Sequence, residues 1–153
     1  METLCLKTPV GEITLFSIDD KIIALDWGRG MDAPRTSKCK VLNQAADALK
    51  TYFQTGQEDF ASLPLDPGGT KFQARVWKQM QKIKPGRTKT YGQIAKTLKS
   101  SPRAVGGACG ANPIPILIPC HRVMGANGKL AGYSGGSGID TKTQLLRLEG
   151  TLD

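Results

Sequence analysis

Leu63-Pro64-Leu65-Asp66-Pro67-Gly68-Gly69 divides the chain into two stretches with different hydrophobic patterning, and no other feature limits the fold as much. A run this rich in proline and glycine cannot continue a helix or a central strand. Before it, apolar residues alternate with polar ones, the spacing of half-buried strands. After it, they recur every three or four residues, the spacing of a helix face. The charge reverses at the same point. Before Thr70, 7 Lys and Arg stand against 10 Asp and Glu; from Thr70 onward, 14 stand against 3. The sequence therefore predicts two domains, 1–69 and 70–153, the first serving as a structural unit.

In the first domain, Ile13 to Ile18 and Lys21 to Trp27 read as the strands of a hairpin around the turn signal Asp19-Asp20. Thr3 to Lys7 fits a third strand. Val41, Leu42, Ala45, Ala48, Leu49, Tyr52 and Phe53 share one helical face, and Gly56 closes that helix. In the second domain, Thr70-x-x-Gln73 has the capping-box pattern ahead of Phe72, Val76, Met80 and Ile83, with Pro85-Gly86 as the expected stop. Thr90-x-x-Gln93 opens a shorter helix through about Leu98. Ser100-Ser101-Pro102 reads as an N-cap followed by proline at the first helical position. Two short helices joined by a tight turn form a candidate helix-turn-helix of the winged-helix kind. A last helix spans Asp140 to Glu149. The fold class is α/β in the α+β sense: a small sheet plus helix, then a mainly helical domain.

The helix after Pro102 contains Arg103-Ala104-Val105-Gly106-Gly107-Ala108-Cys109-Gly110-Ala111. Each internal glycine costs about 0.5–1 kcal/mol relative to alanine. Either a flat surface such as a nucleic-acid groove approaches this face, or a neighbouring helix packs tightly on it. Arg103 opposes the dipole at this helix start, which favours anions. It is placed to enter a minor groove or to fill space left by a displaced base. The basic second half also points to a polyanion.

Pro113, Pro115 and Pro119 fall in one apolar run that ends in Cys120-His121-Arg122-Val123. The prolines forbid helix, so the run reads as extended and buried. A cysteine there, next to the only histidine, is a candidate nucleophile; an inert core cysteine beside a satisfied histidine is the alternative. In extended chain, neighbouring side chains point to opposite faces. Cys120 and His121 then meet through a water rather than directly, unless the chain bends. The other cysteines, Cys5, Cys39 and Cys109, form no Cys-x-x-Cys pair, which excludes an ordinary zinc site. None is expected beside Cys120. No apolar run approaches the roughly 20 residues of a membrane span, and no secretory leader is evident. The cytoplasm, or the nucleus, is the expected location.

Pro119-Cys120-His121-Arg122-Val123 resembles the active-site motif of the O6-alkylguanine-DNA alkyltransferases. Arg103-Ala104-Val105-Gly106-Gly107-Ala108, Asn112-Pro113, Tyr91-Gly92-Gln93-Ile94-Ala95, Gly132-Tyr133 and Leu148-Glu149-Gly150 resemble the same family in the same order. The resemblance covers about residues 70 to 150. It implies that Cys120 takes an alkyl group from O6 of guanine, and from O4 of thymine, once and irreversibly. It implies that His121 deprotonates the thiol through water, that Glu149 orients His121, that Tyr91 protonates the extruded base, and that Asn112 braces the loop. Arg103, Ala104, Gly106, Gly107 and Ala108 would contact DNA, and Tyr91, Pro115, Val123, Tyr133 and Ser134 would line the pocket. The small Ser134-Gly135-Gly136 would leave room for bulkier alkyl groups. The implied partner is double-stranded DNA carrying O6-alkylguanine, bound by a monomer with no cofactor and no metal.

Overall fold

The computed structural model describes residues 1–133 and 135–152. Three antiparallel strands open the chain: β1 (Glu2–Thr8), β2 (Gly11–Ile18) and β3 (Lys21–Trp27), side by side in that order. Asp19 and Asp20 both take left-handed backbone, φ 50° and 61°. That is the twist a two-residue hairpin loop requires, and aspartate tolerates it. Helix α1 (Lys40–Thr55) packs Val41, Leu42, Ala45, Leu49 and Tyr52 into the core, and Gly56 closes it at φ 68°. A Cβ on Gly56 would collide with the backbone carbonyl of Leu148 near the C-terminus, so only glycine fits.

Four α-helices follow the linker among the described residues. Helix α2 (Lys71–Gln81) begins with the full capping box: Thr70 Oγ1 accepts from Gln73 N at 3.1 Å and Gln73 Oε1 from Thr70 N at 2.9 Å. It ends at Gln81, before the expected stop at Pro85-Gly86. Ile83 N still bonds Met80 O at 3.0 Å in a tightened last turn, and its carbonyl accepts from Arg122 Nη1 at 2.6 Å. Helix α3 (Tyr91–Leu98) has the same box from Thr90 and Gln93. Lys99 turns the chain in left-handed backbone (φ 56°), and Ser101 caps α4 (Pro102–Gly110) by accepting from Ala104 N at 3.1 Å. The α3–turn–α4 unit is the helix-turn-helix. A two-stranded parallel ribbon, β4 (Lys89–Thr90) with β5 (Val123–Met124), stands beside it; the sequence analysis did not foresee this pairing. Helix α5 (Ile139–Leu148) completes the fold.

A cluster of buried side chains takes in residues of both halves, from Leu4 and Tyr52 to Val105 and Leu145. The outer edge of β3 is also occupied. Ile22 N donates to Pro64 O at 2.9 Å, and Leu25 N donates to Pro113 O at 2.9 Å. The first half is thereby tied to the segment that leads to Cys120. Among the described residues, no helix is long and apolar enough to cross a membrane.

Candidate active site and nucleic-acid interface

The run from Pro113 to Arg122 is bent, not extended. Ile116 lies at φ 72°, a conformation that costs a β-branched residue of order 1–3 kcal/mol. Ile118 N closes the turn on Ile114 O at 2.9 Å. Asn112 braces it from both sides: Nδ2 donates to Ile118 O at 2.8 Å, and Oδ1 accepts from Ile114 N at 3.0 Å. Cys120 to Arg122 then form one 3₁₀ turn. The prolines forbid α-helix but permit this tight coil, which the reading of simple extension overlooked.

Cys120 is 9% exposed and lines a cavity of about 220 Å³. Burial pushes its thiol above the ordinary value, opposed by the hydrogen bond from Asn112 and the positive charge of Lys142. Lys142 is itself buried, with Nζ donating to Val123 O at 2.6 Å and Ala131 O at 2.7 Å. Cys109 lines the same cavity, so a second cysteine does stand near Cys120, contrary to expectation. Burial and the charge of Cys120 drive its thiol up to about 12, and it donates to Met80 Sδ at 3.4 Å.

Beneath the cysteine lies a buried polar cluster centred on Glu149, the residue that caps α5. Glu149 Oε2 accepts from His121 Nε2 at 2.7 Å, Arg122 Nη2 at 2.9 Å and Tyr52 Oη at 2.6 Å. Oε1 accepts from Arg122 Nε at 2.9 Å. Burial raises the carboxyl pKa, but the bonds and charges of His121 and Arg122 outweigh it and hold the group down at about 2. Burial lowers His121 from its ordinary 6.5, with Glu149 opposing. At neutral pH the pair is therefore carboxylate and neutral imidazole. A carboxylate can only accept, so the ring proton sits on Nε2. Nδ1 is then a bare acceptor, buried and without a hydrogen-bond partner among the described residues. The ion pair of this cluster is between Glu149 and Arg122, both buried.

Of the residues expected to line the pocket, Pro115 and Tyr133 do so. Val123 does not; it is fully buried in β5, with its carbonyl occupied by Lys142. Tyr91 is not a lining residue of the cavity. Its hydroxyl donates to Ala131 O at 3.3 Å, beside the lining residue Gly132, and burial pushes its pKa up to about 12. Ser134 lies outside the described residues. Gly135 and Gly136 are filled rather than open: a Cβ would meet Trp27 at one and Thr141 Oγ1 at the other. They make room for protein, not for a bulky alkyl group.

On α4, Arg103, Ala104, Gly107 and Gly110 are exposed and Gly106 is half-buried. Ala108 is not on this face. It is 4% exposed, and its carbonyl accepts from Trp77 Nε1 at 2.8 Å, which fastens α4 to α2. A Cβ added at Gly106, Gly107 or Gly110 would meet nothing within 4 Å. Tight packing on a neighbouring helix is thus excluded as the reason for these glycines. Exposed Lys71, Arg75, Lys78, Lys96 and Lys99 stand on α2 and the helix-turn-helix.

Comparison with known proteins agrees with this geometry. A family model described as the DNA-binding domain of 6-O-methylguanine DNA methyltransferase matches residues 71–151. A second, described as its ribonuclease-like domain, matches residues 3–67. A methylated-DNA–protein-cysteine methyltransferase of Metallosphaera sedula is 41% identical over 145 residues, covering 95% of this chain and 90% of that protein. One from Haemophilus influenzae is 36% identical over 149 residues, covering 93% and 82%. The crystal structure of Mycobacterium tuberculosis OGT in complex with DNA superposes with a TM-score of 0.83 at 38% identity, covering 97% of this chain and 92% of that one.

Proposed function

The chain belongs to the 6-O-methylguanine DNA methyltransferase family, and from that membership we propose how its own residues carry out the activity. The activity is direct-reversal DNA repair: an alkyl group moves from DNA to a cysteine of the protein, and the protein binds DNA to do it. The acceptor is Cys120, the substrate is O6-alkylguanine in duplex DNA (and O4-alkylthymine by the same chemistry), and a monomer suffices.

The observation that carries this reading is the protonation state around His121. Nε2–H is tied to Glu149, so Nδ1 offers its lone pair behind the cavity wall. A water relays the thiol proton of Cys120 to Nδ1. The sulfur then attacks the alkyl carbon; the S–C bond forms as the C–O6 bond breaks, and the electron pair stays on the guanine oxygen. Tyr91, kept a phenol by its raised pKa, turns its hydroxyl from Ala131 O to donate a hydrogen bond to the extruded base, and the base takes its proton from solvent. The product is a thioether with no good leaving group, so each molecule acts once. A guanine inside a duplex cannot reach a buried thiol, so the base is extruded, at a few kcal/mol. Arg103 on α4 fills the vacated stack while Ala104, Gly106 and Gly107 lie along the minor groove.

Two measurements test this. After incubation with O6-methylguanine duplex, intact mass rises by one methyl group per chain, and Cys120→Ala abolishes the gain. Tight binding at unchanged mass would mean a lesion sensor instead, and turnover beyond one product per chain a hydrolase. The transfer rate is flat above about pH 6.5, where His121 is neutral, and falls as acid protonates Nδ1 below its ordinary value. A rate that keeps rising with pH through 8 would show that thiol ionisation alone, not His121, governs the step.

A further inference from the structure

Trp27, the last residue of β3, stands in the wall of the Cys120 cavity together with Leu25 and Asp26, although it belongs to the first half of the chain. It meets the described residues after Gly132 at Tyr133, Gly135 and Gly136. Its ring meets that of Tyr133 edge-on, with centroids 6.4 Å apart and planes at 78°. Gly135 presses on it so closely that an added Cβ would lie 2.5 Å from Nε1, 2.8 Å from Cε2 and 2.9 Å from Cζ2; all three of its nearest neighbours are Trp27 atoms. The far end of the loop is pinned separately, by Ser137 N donating to Thr141 Oγ1 at 2.8 Å. Trp27 cannot drift away, because Leu25, two residues earlier, is bonded to Pro113 O.

We infer that Trp27 is a positioning and specificity-determining residue for alkyl transfer: it seats Tyr133 and Gly135 in the cavity wall they share with Cys120 and limits the size of the group the cavity accepts. This deepens the function proposed above and rests on it. The indole is rigid, and edge-on aromatic pairs favour one geometry. With the loop held, Tyr133 and Gly135 keep a fixed distance from the sulfur. Remove the indole and the wall that Trp27 forms opens. A small substituent then loses alignment, which alone lowers rates steeply, while a large one gains space.

The test compares single-turnover labelling by O6-methylguanine duplex and by O6-benzylguanine duplex, in parallel with melting temperature. Trp27→Ala raises the benzyl-to-methyl rate ratio about tenfold, and Trp27→Phe brings it back to within about threefold of the parent. Gly135→Ala lowers methyl transfer, and adding Trp27→Phe recovers part of the loss, because the smaller ring makes space for the new Cβ. The Gly135 pair decides the matter even if Trp27→Ala fails to fold. A ratio unchanged in every variant, or two rates that fall together in step with melting temperature, would overturn the assignment. Absence of any label on the parent's Cys120 would instead overturn the proposed function.

Discussion

Glu149 accepts four hydrogen bonds in the interior, whereas Gly106, Gly107 and Gly110 of α4 have open space where side chains would be. The first region is over-determined. Its members come from α1, the 3₁₀ turn after Pro119 and the end of α5, and they lock both halves of the chain around one carboxylate. The second is under-determined. A helix of small residues is held to the protein by buried Val105, Ala108 and Cys109 and by the bond from Trp77, while a Cβ added at its glycines would meet nothing among the described residues within 4 Å. Where charge must be placed to an ångström before a proton moves, the fold invests in partners. Where a flat surface must come close, it leaves stabilising side chains out.

The sharpest way to break this contrast is to unpair the interior. Arg122→Met leaves Glu149 buried without its cation and should lower stability by about 3–5 kcal/mol in denaturant unfolding. Tyr52→Phe removes one bond to a charged acceptor and should cost about 1.5–3 kcal/mol. If both changes are near neutral, the cluster is not over-determined. The opposite sign is expected on α4. Gly106→Ala and Gly107→Ala should each stabilise the protein by about 0.5–1 kcal/mol while weakening duplex binding. Alanines that improve stability and leave DNA affinity intact would show that the glycines serve no close approach.

Secondary structure was largely legible because its signals are local. The Asp19-Asp20 turn, two Thr-x-x-Gln capping boxes and the Ser101-Pro102 start depend on residues within one turn of each other, and each stands as read. The end of α2, at Gln81 rather than at Pro85-Gly86, was not. Cys120, His121, Asn112 and Glu149 could be named from their motifs. Arg122 stood inside the motif yet went unused, since an arginine beside a nucleophile gives no local sign of which carboxylate it faces. Tyr52 and Trp27 had no signal at all: one read as a core position of a helix, the other as the end of a strand.

What the sequence determined on its own was therefore the first three strands, the helices and the strongly basic second half, which follow from spacing and composition; Cys120 as the candidate acceptor followed from the family resemblance of its motif. What the tertiary structure alone decided was which groups share the interior. Hydrogen bonds to a buried charge act over about 3 Å whatever the separation in the chain, 97 residues in the case of Tyr52 and Glu149. The state of His121, and with it the proposed path of the thiol proton, depends on that convergence.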